Sequence, residues 1–272
     1  MRPIFIVIVL YKIHLKDAIS YQTLIKPNQL SEFMVYDNSP ETFHQLTEEF
    51  PEGVTYVRDC NNGGLSKAYN VGARKARELG YERILLLDQD THFDKNLWNA
   101  YMDNLHFDGI VAPIIKTSHG EDFSPVAIND WNLKGLPQPQ AGEHSLYEMA
   151  VVNSGCCIPL SLYEKCGGYK ETVRLDFADF QFQVNLRPYQ AALKLIDLIA
   201  IQDFSNDTND VKGLLHRYHL YLESAAAFTP DTMKLVLKHN YQVLRHGIAL
   251  FVRTHNIKFL TNYIKIFLLK SK

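Results

Sequence analysis

A chain of 272 residues, 46% hydrophobic and 21% charged, suits one large α/β domain or a domain with an appended lobe, and has ample core. Its formal net charge of −2 excludes a general nucleic-acid binder. The four cysteines, Cys60, Cys156, Cys157 and Cys166, show no C-x-x-C spacing and read as buried, reduced thiols of a cytoplasmic protein, not as a disulfide framework. The apolar opening "MRPIFIVIVLYKIH" is too short to span a bilayer and lacks a small-residue cleavage site, so it predicts a first buried strand at "PIFIVIVL". No apolar run elsewhere reaches about 18 residues.

A short helix is predicted over 15–25, a strand at "FMVYD", a helix over 40–50 and a strand at "VTYVRD". A helix over 64–80 leads to the strand "RILLLD", a helix over 94–105 and the strand "GIVAPII". Continuous apolar strands alternating with helices predict an α/β fold with a mostly parallel central sheet, flanked by helices on both faces. From 114 to 150 the pattern breaks. "KTSHGEDFSPVAINDWNLKGLPQPQAGEHS" is polar and rich in Gly and Pro, either a functional flap or a variable surface excursion. "MAVVNSGCCIPL" returns to strand character, 178–188 is predicted helical and "AALKLIDLIAIQD" a strand. Helices are predicted over 210–228 and most of 230–268.

Ligands of such sheets bind beyond the carboxyl ends of the strands. The residues there are Tyr11, Asp37, Asn38, Asp59, Asn61, Asn62, Asp88 and Asp90. In "ILLLDQD", an extended backbone would put Asp88 and Asp90 on one side and Gln89 on the other. Two hard oxygen ligands at a sheet mouth suit Mg²⁺ or Mn²⁺; the plainer reading is that Asp88 caps a helix and Asp90 is solvated. In "DCNNGGLSKAYNVGARKA", Gly63 and Gly64 permit tight turns before a helix whose N-terminus offers N–H groups to an anion, unless the loop merely caps that helix. It is neither a dinucleotide fingerprint nor a Walker loop. In "VYDNSP", Asp37 is placed to accept hydrogen bonds from a base or ribose, or else Asp37 or Ser39 caps a following helix.

Together "VIVLYK", "VYDNSP", "NNGGLSKAYNVG" and "LLLDQDT" resemble the successive blocks of inverting nucleotide-sugar glycosyltransferases of the GT-A fold, and "LLLDQDT" is especially similar to the rhamnosyltransferase branch that builds bacterial surface polysaccharides. The resemblance covers about 3–228 and implies a GT-A type sheet with a helical C-terminal extension. It implies donor contacts at Tyr11, Asp37, Asn62, Gly63 and Asp88, and a Mn²⁺ or Mg²⁺ ion held by Asp90 with Asp88. "VNSGCCIPLSLYEKCGGYKETVRLDFADFQF" is similar, more loosely, to the block that carries the family's acidic motif D-x-x-D-x-E. This implies Asp179 as catalytic base, with Asp176 second, and places Gln181 where a glutamate is usual. Helix capping by Asp176 and solvation of Asp179 are the plain alternatives. In "LIAIQDFSND", Asp203 falls where the family often has a metal-binding histidine, and is expected to be a third metal ligand. In "LLHRYHLY", Arg217 and Tyr218 are expected to face the donor diphosphate, and His216 and His219 to be surface or core residues.

The implied organisation is a nucleotide-sugar-binding half over 1–113, an acceptor-binding and catalytic half over 114–228, and a basic helical segment over 229–272. The implied partners are a nucleoside diphosphate sugar and a saccharide or lipid-linked saccharide acceptor. A haloacid dehalogenase-type phosphatase also sets D-x-D after a strand. It wants Thr or Val where this chain has His92, and uses its first strand, not its fourth. A non-catalytic sugar-nucleotide binder is the other alternative, motivated by Gln181 and Asp203. The last feature is charge. Residues 232–272 hold eight Lys or Arg and no Asp or Glu, leaving 20 basic and 30 acidic residues before them, a net of −10. Leu235, Leu237, Tyr241, Leu244, Leu250, Phe251, Phe259, Tyr263, Phe267 and Leu268 are interleaved with the basic residues. Such a helix is expected either to lie on an anionic membrane, here the inner face, or to pack as a lid.

Overall fold

The computed structural model describes residues 2–128, 135–203 and 210–269. Strand β1 (Arg2–Leu10) alternates strictly: Phe5, Val7 and Val9 enter one buried cluster, and Ile4, Ile6, Ile8 and Leu10 enter another on the opposite face. A strand apolar on both sides must be covered on both sides, which is why it lies near the middle of the sheet. β2 (Phe33–Asp37), β3 (Thr55–Arg58) and β4 (Tyr81–Asp88) run parallel with it, in the order β3-β2-β1-β4. The register pairs Val9 with Asp88, Leu10 with Asp37 and Asp37 with Arg58, so these carboxyl ends open on one edge. Helix α1 (Leu65–Glu78) returns from β3 to β4 and buries Ala68, Tyr69, Ala73 and Ala76. β5 (Thr91–His92), α2 (Leu97–Asp103) and β6 (Gly109–Thr117) follow.

The sheet continues as β4-β11-β6-β12-β5. β11 (Cys157–Pro159) is antiparallel to both β4 and β6, whereas β12 (Ala192–Gln202) is parallel to β6. The fold is therefore α/β with a mixed, mostly parallel sheet. β6 crosses position 113/114, and the two halves share one sheet. The polar excursion is tied down by short strands: β7 (Asp122–Ser124) pairs β6, β9 (Gly142–Ser145) pairs β12, and β8 (Val126–Ala127) pairs β10 (Met149–Ala150). Residues 129–134 of it lie outside the described residues. Helices α3 (Leu160–Lys165) and α4 (Ala178–Leu186) cover the face that α1 covers.

Two predicted helices change form. The 15–25 stretch is a 3₁₀ turn (Leu15–Asp17) and a π-helical turn (Tyr21–Ile25), bent where the Ile19 N–H donates to the Gln89 carbonyl at 2.8 Å. Over 40–50 only a 3₁₀ turn, Thr47–Glu49, forms. The Arg58 guanidinium donates to the carbonyls of Pro40, Glu41 and Phe43, and so takes acceptors that a helix would need. All four cysteines are free; Cys156 and Cys157 are buried, but Cys60 and Cys166 are partly exposed.

At the C-terminus, α5 (Val211–Ala227), α6 (Met233–Thr254) and α7 (Lys258–Asn262), with a π-helical turn Tyr263–Leu268, build a separate apolar cluster around Tyr218, Leu222, Val243, Phe259 and Phe267. Asp210 caps α5 by accepting from the Gly213 N–H at 2.8 Å, and Thr232 caps α6 by accepting from Leu235 at 3.2 Å. No helix among the described residues is long and apolar enough to cross a membrane.

Candidate functional site

The strand ends meet at Asp88. β4 stops there, and the chain turns through Gln89 and Asp90 into β5. Because the turn intervenes, the two aspartates are not successive residues of one strand face. Their convergence comes from the turn and from the neighbours that hold it. Gln89 reaches back to the first block, where its Oε1 accepts from the Tyr11 N–H at 2.7 Å. Tyr11 is exposed, with the Lys12 ammonium 5.0 Å from its ring centre.

Behind the pair lies a polar chain. Tyr69, buried on α1, donates its hydroxyl to Asp88 Oδ1 at 2.9 Å. The Asp88 N–H donates to Ser154 Oγ at 3.2 Å, Ser154 pairs with Thr91 Oγ1 at 2.7 Å, Thr91 donates to Gln202 Oε1, and Gln202 donates to Asp90 Oδ1. Asp203, at the end of β12, donates its N–H to the Asp90 carbonyl at 3.0 Å. Tyr69, Thr91, Ser154 and Gln202 were not singled out from the sequence, although "NSG" and "IQD" at strand ends carry two of them.

Asp179 enters from α4. Its N-cap, Phe177, takes a left-handed turn (φ 64°), and Asp179 Oδ1 accepts from the Phe180 N–H at 2.8 Å. Burial pushes the Asp179 carboxyl up to about 7, and the nearby charge of Asp176 adds to the rise. Asp88 is raised by burial, offset in part by the Tyr69 hydroxyl, with the Asp179 charge adding to it. Asp90 is raised by burial first and by Asp88 second. Asp88 therefore stands between the other two electrostatically: the Asp179 charge acts on it, and its own charge acts on Asp90.

Among the described residues neither Asp88 nor Asp90 has a Lys or Arg partner, and no three Asp, Glu, His or Cys form a ready-made metal cage. Two half-buried carboxylates with only neutral donors fit a divalent cation of the Mg²⁺ or Mn²⁺ kind, which needs one or two protein carboxylates and takes its other oxygens from water and phosphate.

Other expected contacts are placed differently. Asp37 is wholly buried, accepting from the Ser39 N–H at 3.0 Å and the Tyr56 hydroxyl at 2.9 Å; it shapes its loop from inside. Asp59 does the same for the asparagine-glycine loop. It accepts from Tyr36, Lys67, Asn61 and Gly63. Burial works to raise its pKa, but the hydrogen bonds from Lys67 and Tyr36 hold it below the usual range. Gly63 is needed for closeness, since a Cβ would lie 2.5 Å from Asp59 Oδ2. Asn62 sits in the left-handed region at φ 50°.

The expectation that the α1 N-terminus is open to an anion is corrected. Gly64 has no side chain to cap the helix, and the Arg174 carbonyl takes its place, accepting from Leu65 at 2.8 Å and Ser66 at 3.4 Å. The Arg174 side chain donates to the Asn62 carbonyl. One residue thus fastens the asparagine-glycine loop to the acidic block two residues before Asp176.

Asp176 is engaged by Arg217 through a two-pronged ion pair at 2.5 and 2.8 Å. Arg217 is thereby turned to the acidic block. Tyr218, expected to face the donor, is instead buried at the centre of the helical cluster, because α5 turns that side to α6 and α7. His216 is exposed, and His219 lies 3.5 Å from Glu223 on the same helix. Gln181 is buried; its Oε1 accepts from the Thr229 N–H and hydroxyl, and its Nε2 donates to Asn185.

The family model described as glycosyl transferase family 2 matches residues 21–161, just over half of the chain. The chain is 25% identical over 198 residues to the dTDP-rhamnosyl transferase RfbF of Shigella flexneri; the match covers 71% of this chain and 66% of that protein, just under two thirds of the relative's length. In fold it is similar to GalNAc-T7 crystallised with UDP, GalNAc and Mn²⁺ (TM-score 0.55, 13% identity, 93% of this chain and 58% of that one). It is also similar to S. aureus TarS 1-349 in complex with UDP-GlcNAc (TM-score 0.54, 15% identity, 100% and 82%). These likenesses show the GT-A type fold that the motifs implied.

Proposed function

The chain belongs to glycosyl transferase family 2, and from that premise we propose that it transfers a sugar from a nucleoside diphosphate donor to a saccharide hydroxyl, with inversion at the anomeric carbon. The observation that supports the proposal is the pair Asp88 and Asp90 at the carboxyl end of β4, with Asp179 on α4 near enough for its charge to act on Asp88. The similarity to RfbF supports a deoxythymidine diphosphate sugar, rhamnose first, as donor. The proposed acceptor is a saccharide or lipid-linked saccharide of surface polysaccharide synthesis on the cytoplasmic side.

We assign the Tyr11 ring, which is exposed, to the base and the Asn62–Gly63 loop to ribose and diphosphate, as the family motifs imply. Asp88, aimed by Tyr69, serves the ribose side, while Asp90, with Asp88 and Asp203 beside it, would hold Mn²⁺ or Mg²⁺. A bound divalent ion supplies positive charge that stabilises the departing nucleoside diphosphate. Asp179 accepts the acceptor's hydroxyl proton as that oxygen bonds to the anomeric carbon. The bond from carbon to diphosphate breaks, and its electron pair leaves with the nucleotide. A carboxyl raised to about 7 is half ionised near neutral pH, where a general base works best. Asp176, paired with Arg217, is assigned the supporting role of biasing Asp179 by its charge.

The test is a screen of nucleotide sugars, with and without Mn²⁺, for donor-dependent release of nucleoside diphosphate. Release that depends on one sugar nucleotide supports the transferase. Tight binding without release, acceptor present, assigns the chain to the non-catalytic donor-binding class.

A further inference from the structure

Helix α6 has apolar residues on two sides. One side, through His239, Val243, Gly247 and Leu250, is buried in the helical cluster. Gly247 allows that approach, since a Cβ there would lie 2.4 Å from the Tyr218 hydroxyl. A helix whose inner side is satisfied in this way ordinarily turns polar residues outward. Here Met233, Leu237, Tyr241, Leu244, Ile248 and Val252 are all exposed, from 39% at Leu244 to 73% at Met233. Their spacings of four, four, three, four and four set them in one stripe about 100° wide along the whole helix.

The interleaved apolar residues noted in the sequence therefore divide. Leu250, Phe259 and Phe267 are core, and the surface stripe is a different set. The basic residues divide too: Lys238 is buried and donates to the Ile128 carbonyl at 2.6 Å, whereas Lys234 and Arg245 are exposed along one edge of the stripe. Lys270 and Lys272 lie outside the described residues.

Charge selects the occupant. A second copy laid stripe to stripe would bring two cationic edges together, and residues 232–272 contain no acidic residue to offset them. An anionic bilayer meets both features, because acyl chains cover the stripe and headgroup phosphates pair with the edge. We infer that the outer face of α6 docks this protein on an anionic lipid surface, with the stripe at the acyl boundary. The inference does not depend on the proposed reaction: vesicle binding and nucleotide release are separate readouts.

The test uses the full chain with sedimentable vesicles of phosphatidylglycerol and phosphatidylcholine, and of phosphatidylcholine alone. Co-sedimentation is expected with the anionic vesicles only, weakening as salt rises. A Leu237→Gln, Ile248→Gln double variant should lose at least about tenfold in partition, with circular dichroism unchanged. Tyr241→Trp gives a readout that does not rest on weakening, because brominated acyl chains should quench its fluorescence. Equal partition of the double variant and the parent, or no quenching, overturns the inference. A concentration-dependent dimer that the double variant abolishes would give the face to a second copy and overturn it as well.

Discussion

Replacing Gly64 by alanine tests whether the asparagine-glycine loop and the acidic block are one mechanical unit. Gly64 has φ 92° and ψ 178°, a region that glycine alone occupies readily, and forcing alanine into it costs about 1–3 kcal/mol. The added Cβ would lie 2.4 Å from the Arg174 carbonyl oxygen, closer than atoms tolerate. That oxygen caps α1 through Leu65 and Ser66, so moving it leaves a helix-end N–H unpaired, for about 1–3 kcal/mol more. The expected loss is thus roughly 2–6 kcal/mol. Gly80 is the control. Its φ is 77° but a Cβ there meets nothing within 4 Å, so Gly80→Ala should cost only about 1–2 kcal/mol. Urea unfolding of both variants, compared at equal slope, gives the difference. Gly64→Ala should also weaken donor binding, since Arg174 leads directly to Asp176 and holds the Asn62 carbonyl. If Gly64→Ala is no more damaging than Gly80→Ala, the Arg174 carbonyl does not sit against α1 and the coupling is wrong.

Other consequences are as direct. Asp179→Asn should keep donor affinity and lose transfer by roughly 10²- to 10⁴-fold; the same loss in Asp176→Asn with Asp179→Asn nearly active would exchange their roles. Because burial raises the Asp179 pKa to about 7, it holds its proton below that pH, so parent transfer should rise with pH through about 7 and then level off. A flat profile between pH 5 and 8 (on the order of ten readings) would speak against a carboxylate base in this setting. Tyr69→Phe removes the hydrogen bond that favours ionised Asp88, so Mn²⁺-supported donor binding should weaken by roughly tenfold at neutral pH, measured by calorimetry, and less at higher pH. Unchanged affinity would mean that Asp88 is not oriented through Tyr69.

The parallel core was readable because it is written in local pattern. β1 alternates by two between two clusters, and "ILLLD" must be buried on both faces. The same logic put informative residues at strand ends, and Asp88 does end β4 with Asp90 in the turn that follows; Asp203, which only the resemblance brought in, donates its N–H to the Asp90 carbonyl. What escaped is written in long-range pairs. The helix expected over 40–50 is undone by Arg58, more than a dozen residues away, and the open helix end at Gly64 is closed by Arg174. Tyr69 falls inside the helix expected over 64–80, and nothing local says that its hydroxyl ends on Asp88. Asp37 looked like a ligand, yet Tyr56 and Ser39 engage it inside the fold. The basic, acid-free tail was plain in composition, whereas its inward and outward residues required the packing of α6 on its neighbours.

The central claim is that Asp90, Asp88 and Asp179 form one donor-activating site, and release of nucleoside diphosphate from dTDP-rhamnose, titrated with Mn²⁺, tests it most directly. The parent should release nucleotide in a Mn²⁺-dependent manner and faster with a saccharide acceptor. Asp90→Ala should lose the Mn²⁺ dependence, and Asp179→Asn should lose the acceptor stimulation while still binding the donor. Release from Asp90→Ala and Asp179→Asn that matches the parent, at every Mn²⁺ concentration, would contradict it.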